Sequence, residues 1–316
     1  MPNECSERML PHRSVVVKRG DDPRPSVMDM NRRTLIATIG GAVLAAFSPF
    51  TGRAAGQSAF SFGLTPVFLD SDIELLNELQ SYLSDAMGLP VTLVKRRTYQ
   101  EITALLLSGE LDAAWICGFP FVQHADKLAL VAVPLYRQQP LYQSYIIVPA
   151  DRAIAGWEEL KGDIHAFSDP DSNSGYLVTA ALLAEHNQSP AKFFAKTFFT
   201  YGHRNVIRAV ASGLAHSGSV DGYVWDVMSV REPDLVSRTK VLRHSELLGF
   251  PPIACLRSRH DSEEIGRLTD ALVSIAGNPH GVKILTMLQL DGFAVEPEST
   301  FSGIAANYAL VQLKGG

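Results

Sequence analysis

The sequence has 316 residues, of which 46% are hydrophobic and 19% charged, enough apolar material for one or two ordinary cores. Its 28 Lys and Arg stand against 33 Asp and Glu, a formal charge of −5, and no long basic run follows the N-terminal segment, which argues against nucleic acid as a partner. The 24 Gly and 18 Pro are dispersed and no fixed-period repeat occurs, so neither a collagen-like nor a disordered chain is indicated. Residues 1–56 hold 8 basic and 5 acidic residues, leaving 20 against 28 in the remainder. An anion site there has to be local, built from backbone N–H groups and hydroxyls.

The first segment reads as an address. Met30-Asn31-Arg32-Arg33-Thr34 precedes the apolar run Leu35 to Phe47, and Ser48-Pro49-Phe50 and Ala54-Ala55-Gly56 follow. That is the layout of an export signal, and the Arg pair points to the twin-arginine route. The run falls short of the ~20 residues that span a bilayer. No Cys stands after it where a lipid would be attached, so a mature protein beginning near Ala55 to Ser58 is expected in the periplasm. Residues 1–27 carry no pattern, and Met28 and Met30 are alternative starts.

Beyond the signal, Phe60 to Leu64 reads as a buried strand ending at Thr65-Pro66, followed from Ser71 by a helix with Leu75, Leu76, Leu79 and Leu83 at helical spacing. Val91 to Val94 is the next strand, Tyr99 to Leu107 the next helix, and Leu111 to Cys117 a third strand. The order βαβαβ indicates a parallel sheet with crossover helices. Leu141 to Val148 reads as a strand crossing into a second α/β set. That set comprises strands at His165 to Phe167, Lys196 to Tyr201 and Ser219 to Trp225, and helices at Gly175 to His186 and Asn205 to Ala211. Val241-Leu242 and Ile253 to Leu256 are return strands, and helices at Ser262 to Ala276 and Pro279 to Leu288 finish the chain. The expected organisation is a first lobe of residues 57–145 plus 243–316 and a second of 146–242.

Four stretches together resemble the phosphate-, phosphite- and phosphonate-binding proteins of ABC importers. They are Phe62 to Pro66 with its helix; Tyr99 to Phe121; Ser168-Asp169-Pro170-Asp171-Ser172-Asn173-Ser174-Gly175-Tyr176; and Gly202-His203 followed by Ala209 to Gly213. The resemblance implies an α/β fold of two lobes, each a mostly parallel sheet with flanking helices, that closes by hinge motion on a small oxyanion. An ABC permease is the implied partner.

Ser168 to Gly175 lies between a strand and a helix, so its hydroxyls and free N–H groups face a ligand with the positive helix end behind them. The competing reading is an ordinary helix cap. The family usually has Thr where this chain has Asn173. Its matching His points into the cleft, which implies the same of His203. Aminophosphonate binders of the family hold an ammonium with carboxylates; here Tyr223-Val224-Trp225-Asp226 argues for a small or uncharged tail, with Asp226 a possible exception and a core role for the aromatic pair left open. The residues expected at the ligand are Thr65, Cys117, Gly118, Phe119, Tyr142, Ser172, Asn173, Ser174, Gly175, His203, Tyr223 and Trp225, without cofactor or metal.

Of the three Cys, only Cys117 and Cys255 follow the signal. Cys117 opens a loop onto the crevice, where oxyanion binders usually have a small residue. It makes the chain look like the family's arsenite-binding sensors, which signal to a membrane histidine kinase, and a soft sulfur suits arsenic. A buried, inert thiol and a disulfide with Cys255 are the alternatives. Hydrolase, zincin and P-loop signatures are absent, so a binding protein is expected rather than an enzyme.

Overall fold

The computed structural model describes residues 59–66 and 73–314; the export signal lies outside the described residues. The first half-unit follows the βαβαβ order: β1 (Phe60–Leu64), α1 (Ile73–Met87), β2 (Val91–Lys95), α2 (Tyr99–Ser108) and β3 (Ala113–Trp115), with both β2 and β3 parallel to β1. A short α3 (Gly118–Gln123) and a long strand β4 (Leu128–Leu135) come next, then β5 (Leu141–Tyr142) and β6 (Ser144–Pro149). The second set runs β7 (Ile164–Phe167), a wide helical turn at Asn173–Leu177, α4 (Val178–Glu185), α5 (Pro190–Phe193), β8 (Lys196–Phe199), α6 (His203–Ala211), β9 (Ser217–Asp221), α7 (Gly222–Arg231), α8 (Pro233–Val236) and β10 (Thr239–His244). The chain closes with β11 (Leu248–Gly249), β12 (Ile253–Leu256), α9 (Glu263–Val273), α10 (Pro279–Leu288), β13 (Gly292–Ala294) and α11 (Ser302–Lys314).

Two sheets result. One has the order β13-β4-β12-β3-β1-β2 and the other β10-β6-β9-β7-β8. The chain passes between them twice, and there β5 and β11 pair as a two-stranded ribbon, Leu248 opposite Tyr142. Ser144 and Ser245 tie the crossings together: the Ser144 N–H donates to Ser245 Oγ and the Ser245 N–H to the Ser144 carbonyl, each at 2.9 Å. Asp226 braces the same region, accepting from Tyr136 Oη at 2.8 Å, Arg137 Nη2 at 2.9 Å and Tyr145 Oη at 3.2 Å. It is an ion-paired strut.

The strand expected from Ser219 to Trp225 ends at Asp221, where α7 begins. Val, Tyr and Trp favour strands in isolation, but the Asp221 carboxylate accepts the Val224 N–H at 3.2 Å and caps a helix instead. The strand expected over Leu141 to Val148 breaks at Gln143, because its two halves pair with different partners. Strands β4 and β13 and helix α11 were not expected. Cys117 and Cys255 are both buried free thiols, so the disulfide is not formed. No described helix is long and apolar enough to cross a membrane.

Candidate functional site

Five helical N-termini converge on the space between the sheets, and each carries one polar residue into it. Tyr99 is the first residue of α2, fixed there by the Thr98–Glu101 capping box; Cys117 is the N-cap of α3; Ser172 caps the wide turn; His203 opens α6; Asp221 caps α7. All five are 2% exposed or less. The dipoles matter because no Lys or Arg is buried among the described residues. Positive potential in this cleft comes from helix ends and hydrogen-bond donors alone.

The wide turn forms the cradle. Of its first N–H groups, that of Gly175 donates to Ser172 Oγ at 2.9 Å and that of Asn173 to Cys117 Sγ at 3.2 Å; that of Ser174 has no partner among the described residues. Asn173 Nδ2 donates to Tyr142 Oη at 2.9 Å, while Asn173 Oδ1 and Ser168 Oγ are buried without a partner. Unmatched buried polar atoms are costly in a folded protein, so each calls for a partner. Gly175 is required sterically, since a Cβ there would stand 1.8 Å from Ser168 Oγ.

His203 opens α6 in the same α/β set as the cradle. The Asp221 N–H donates to its Nδ1 at 3.0 Å, so the neutral ring carries its proton on Nε2, where Tyr99 Oη lies at 3.1 Å. Tyr99 thus accepts from His203 and keeps its own proton to give. Burial pulls the imidazole down to about 3, so it is neutral at any physiological pH. The Asp221 carboxyl goes the other way, pushed from 3.8 to about 7 by burial against the Val224 and Tyr223 N–H groups that favour its anion. Burial raises Asp169 too, and holds Tyr99 and Tyr142 well above the ordinary phenol range. The Tyr99 N–H lies 3.4 Å from Asp169 Oδ2, which joins that carboxyl to the same group.

Of the residues expected at the ligand, the structure brings together Cys117, Tyr142, Ser172, Asn173, Ser174, Gly175 and His203. The side chains of the others make contacts of their own, although the Phe119 N–H reaches the Cys117 sulfur. The Thr65 hydroxyl donates to the Trp115 carbonyl at 3.2 Å. Gly118 lies under α11, where a Cβ would meet Ile304 at 2.6 Å, and the Phe119 ring packs on Tyr308 at 5.3 Å. Tyr223 Oη donates to the Leu288 carbonyl and Trp225 Nε1 to Thr239 Oγ1, as follows from their placement on α7. Asp226, named as a possible ammonium partner, is held by its own Arg and two Tyr. Tyr99 and Asp221 were missed. The Thr98-x-x-Glu101 signal for a helix start was present before Tyr99, and Asp221 fell inside the strand expected from Ser219 to Trp225.

Two α/β sheets with helix N-termini and unmatched donors turned into the space between them define a two-lobed solute-binding protein. Residues 62–299 match the model of the family described as ABC transporter, phosphonate, periplasmic substrate-binding protein, and the chain belongs to that family. Its fold is similar to that of a binding protein component of an ABC phosphonate transporter from Pseudomonas aeruginosa, at 21% identity and a TM-score of 0.74, over 81% of this chain and 87% of that one. It is similar also to PhnD1 from Prochlorococcus marinus, solved in complex with methylphosphonate, at 17% identity and a TM-score of 0.70, over 80% and 98% of the two chains. The family match lends nothing to the arsenite-sensor reading of Cys117. Burial pushes that thiol up to about 12, which withholds the thiolate that arsenic chemistry favours.

Proposed function

We propose that the cleft holds a small phosphonate-type oxyanion in a singly protonated form and presents it to an ABC permease. The observation that carries this reading is the meeting of many donors with the buried carboxyls of Asp221 and Asp169, both raised by burial, and no buried Lys or Arg among the described residues. Ser172, Ser174, the Ser174 N–H, Tyr99 Oη and Tyr142 Oη supply hydrogen bonds to oxygens, and His203 Nε2 holds Tyr99 so that its proton is free to give. Asp221 repels a dianion but accepts the P–O–H of a monoanion, so one proton is shared between carboxyl and ligand. Closure brings residues 57–145 plus 243–316 against residues 146–242, with the ribbon of β5 and β11 at the hinge. A binding role is also what the family's description states, and the Arg32-Arg33 signal supports export to the periplasm by the twin-arginine route.

Calorimetric titration of the mature protein with methylphosphonate, phosphite and phosphate near pH 6.5 tests the reading, with sulfate as the control that brings no acidic proton. Binding of at least one phosphorus oxyanion and rejection of sulfate is the expected result. Equal binding of sulfate, or no binding of any of the three, removes the proposal.

A further inference from the structure

We propose that Cys117 is a specificity-determining residue: its sulfur takes up the first N–H of the cradle and makes the site favour a phosphorus centre with one apolar substituent over phosphate. The inference rests on the ligand reading above and names the ligand class within it.

Four observations carry it. The Asn173 N–H, which by its place at the start of a helical turn points out of the helix and into the cleft, is held by Cys117 Sγ from the opposite lobe at 3.2 Å. That donor is therefore closed to a ligand oxygen. The sulfur is 2% exposed, and its proton stays on at every pH the protein meets, so a neutral thiol forms the wall. A thiol is a weak donor and a weak acceptor, and an anionic oxygen set against it gives up water without a matching hydrogen bond, whereas a methyl group or a P–H gives up nothing. The cradle keeps other polar groups for a ligand. Ser168 Oγ and Asn173 Oδ1, both on fully buried residues, have no partner; with Ser168, Ser172, Ser174 and Tyr99 as donors and Asn173 Oδ1 and Asp221 as acceptors for a P–O–H, they suffice for three oxygens. A fourth oxygen is left facing sulfur.

The same contact also lets the lobes meet without a ligand, since the thiol stands in for one ligand atom at the cradle's first donor. Removing it opens that donor and adds space beside it.

The test uses Cys117→Ala and Cys117→Gly in the full mature protein, with methylphosphonate, phosphite and phosphate as titrants. Cys117 has ordinary extended backbone angles, φ −71° and ψ 149°, so both replacements are compatible with the N-cap position, and thermal melts verify folding. The wild type is expected to bind methylphosphonate or phosphite at least tenfold more tightly than phosphate. In both variants the ratio is expected to fall below threefold, chiefly through a gain for phosphate as the freed Asn173 N–H reaches the fourth oxygen. A wild-type ratio near one overturns the inference, and so does an unchanged ratio in folded variants that still bind methylphosphonate; in both cases the binding reading stands. Failure of the wild type to bind any phosphorus oxyanion removes that reading and this inference with it.

Discussion

Replacing Asp221 by Asn separates the two things its carboxyl does. Burial raises the group from 3.8 to about 7, a difference worth ~4 kcal/mol at ~1.4 kcal/mol per pH unit. Between those pH values the folded state binds more protons than the unfolded chain, so this group's contribution to stability declines as pH rises from 3.8 to 7 and is level above. Asn keeps the shape, and its carbonyl still accepts the Val224 N–H that caps α7. Asp221→Asn is therefore expected to be more stable than wild type at pH 8 by up to ~4 kcal/mol, with the difference vanishing near pH 4. Binding moves the opposite way. Loss of the acceptor for the ligand's P–O–H costs methylphosphonate affinity ~2 kcal/mol or more at pH 6, about thirtyfold. The wild-type affinity falls about tenfold per pH unit once both carboxyl and ligand have lost their protons, because binding then requires proton uptake; in the variant that slope is shallower. Urea denaturation at pH 4 and pH 8 and calorimetry across pH 6 to 9 provide the measurements. Equal stabilities at pH 8 together with parallel pH profiles would refute the reasoning.

The double substitution Ser172→Ala with Ser174→Ala is expected to weaken methylphosphonate binding by about 1 to 3 kcal/mol for each lost donor while leaving the fold intact, read by calorimetry and circular dichroism. His165, buried between Ser217 Oγ at 2.9 Å and Ser219 Oγ at 2.8 Å, is pulled from 6.5 down to about 3. Below pH 6.5 the unfolded chain binds the proton and the folded protein does not, so stability is expected to drop by up to ~5 kcal/mol between pH 6.5 and 3, and His165→Asn to flatten that limb in acid denaturation. Lysine at both Arg32 and Arg33 is expected to block export, seen as loss of mature protein from the periplasmic fraction; unchanged export points to the general route instead.

Hydrophobic runs and turn residues made most of the chain legible. The alternation of β1, α1, β2, α2 and β3 was readable because strand runs and helical spacing changed at Gly and Pro. The strand-to-helix turn was readable from Ser172-Asn173-Ser174-Gly175. What escaped depended on tertiary pairing. The strand at Leu128–Leu135 has no polar alternation, being buried along nearly its whole length between β12 and β13, and its identity depends on strands more than a hundred residues away. Asp221 was invisible as a site residue because a β-rich stretch, Tyr223 to Trp225, becomes helix under a cap. The Cβ side of Gly118 and the Phe119 ring turn toward α11, a helix not foreseen, while the Phe119 N–H stays at the Cys117 sulfur.

A crystal structure of the mature protein grown with methylphosphonate tests the central claim most directly. The account predicts the phosphorus between the Ser172–Ser174 turn and His203, with an oxygen within hydrogen-bond distance of the Ser174 N–H, another near Tyr99 Oη, and a third against the Asp221 carboxyl. Electron density for the ligand at any other place, or lobes that stay closed around an unoccupied cleft at saturating methylphosphonate, contradicts it.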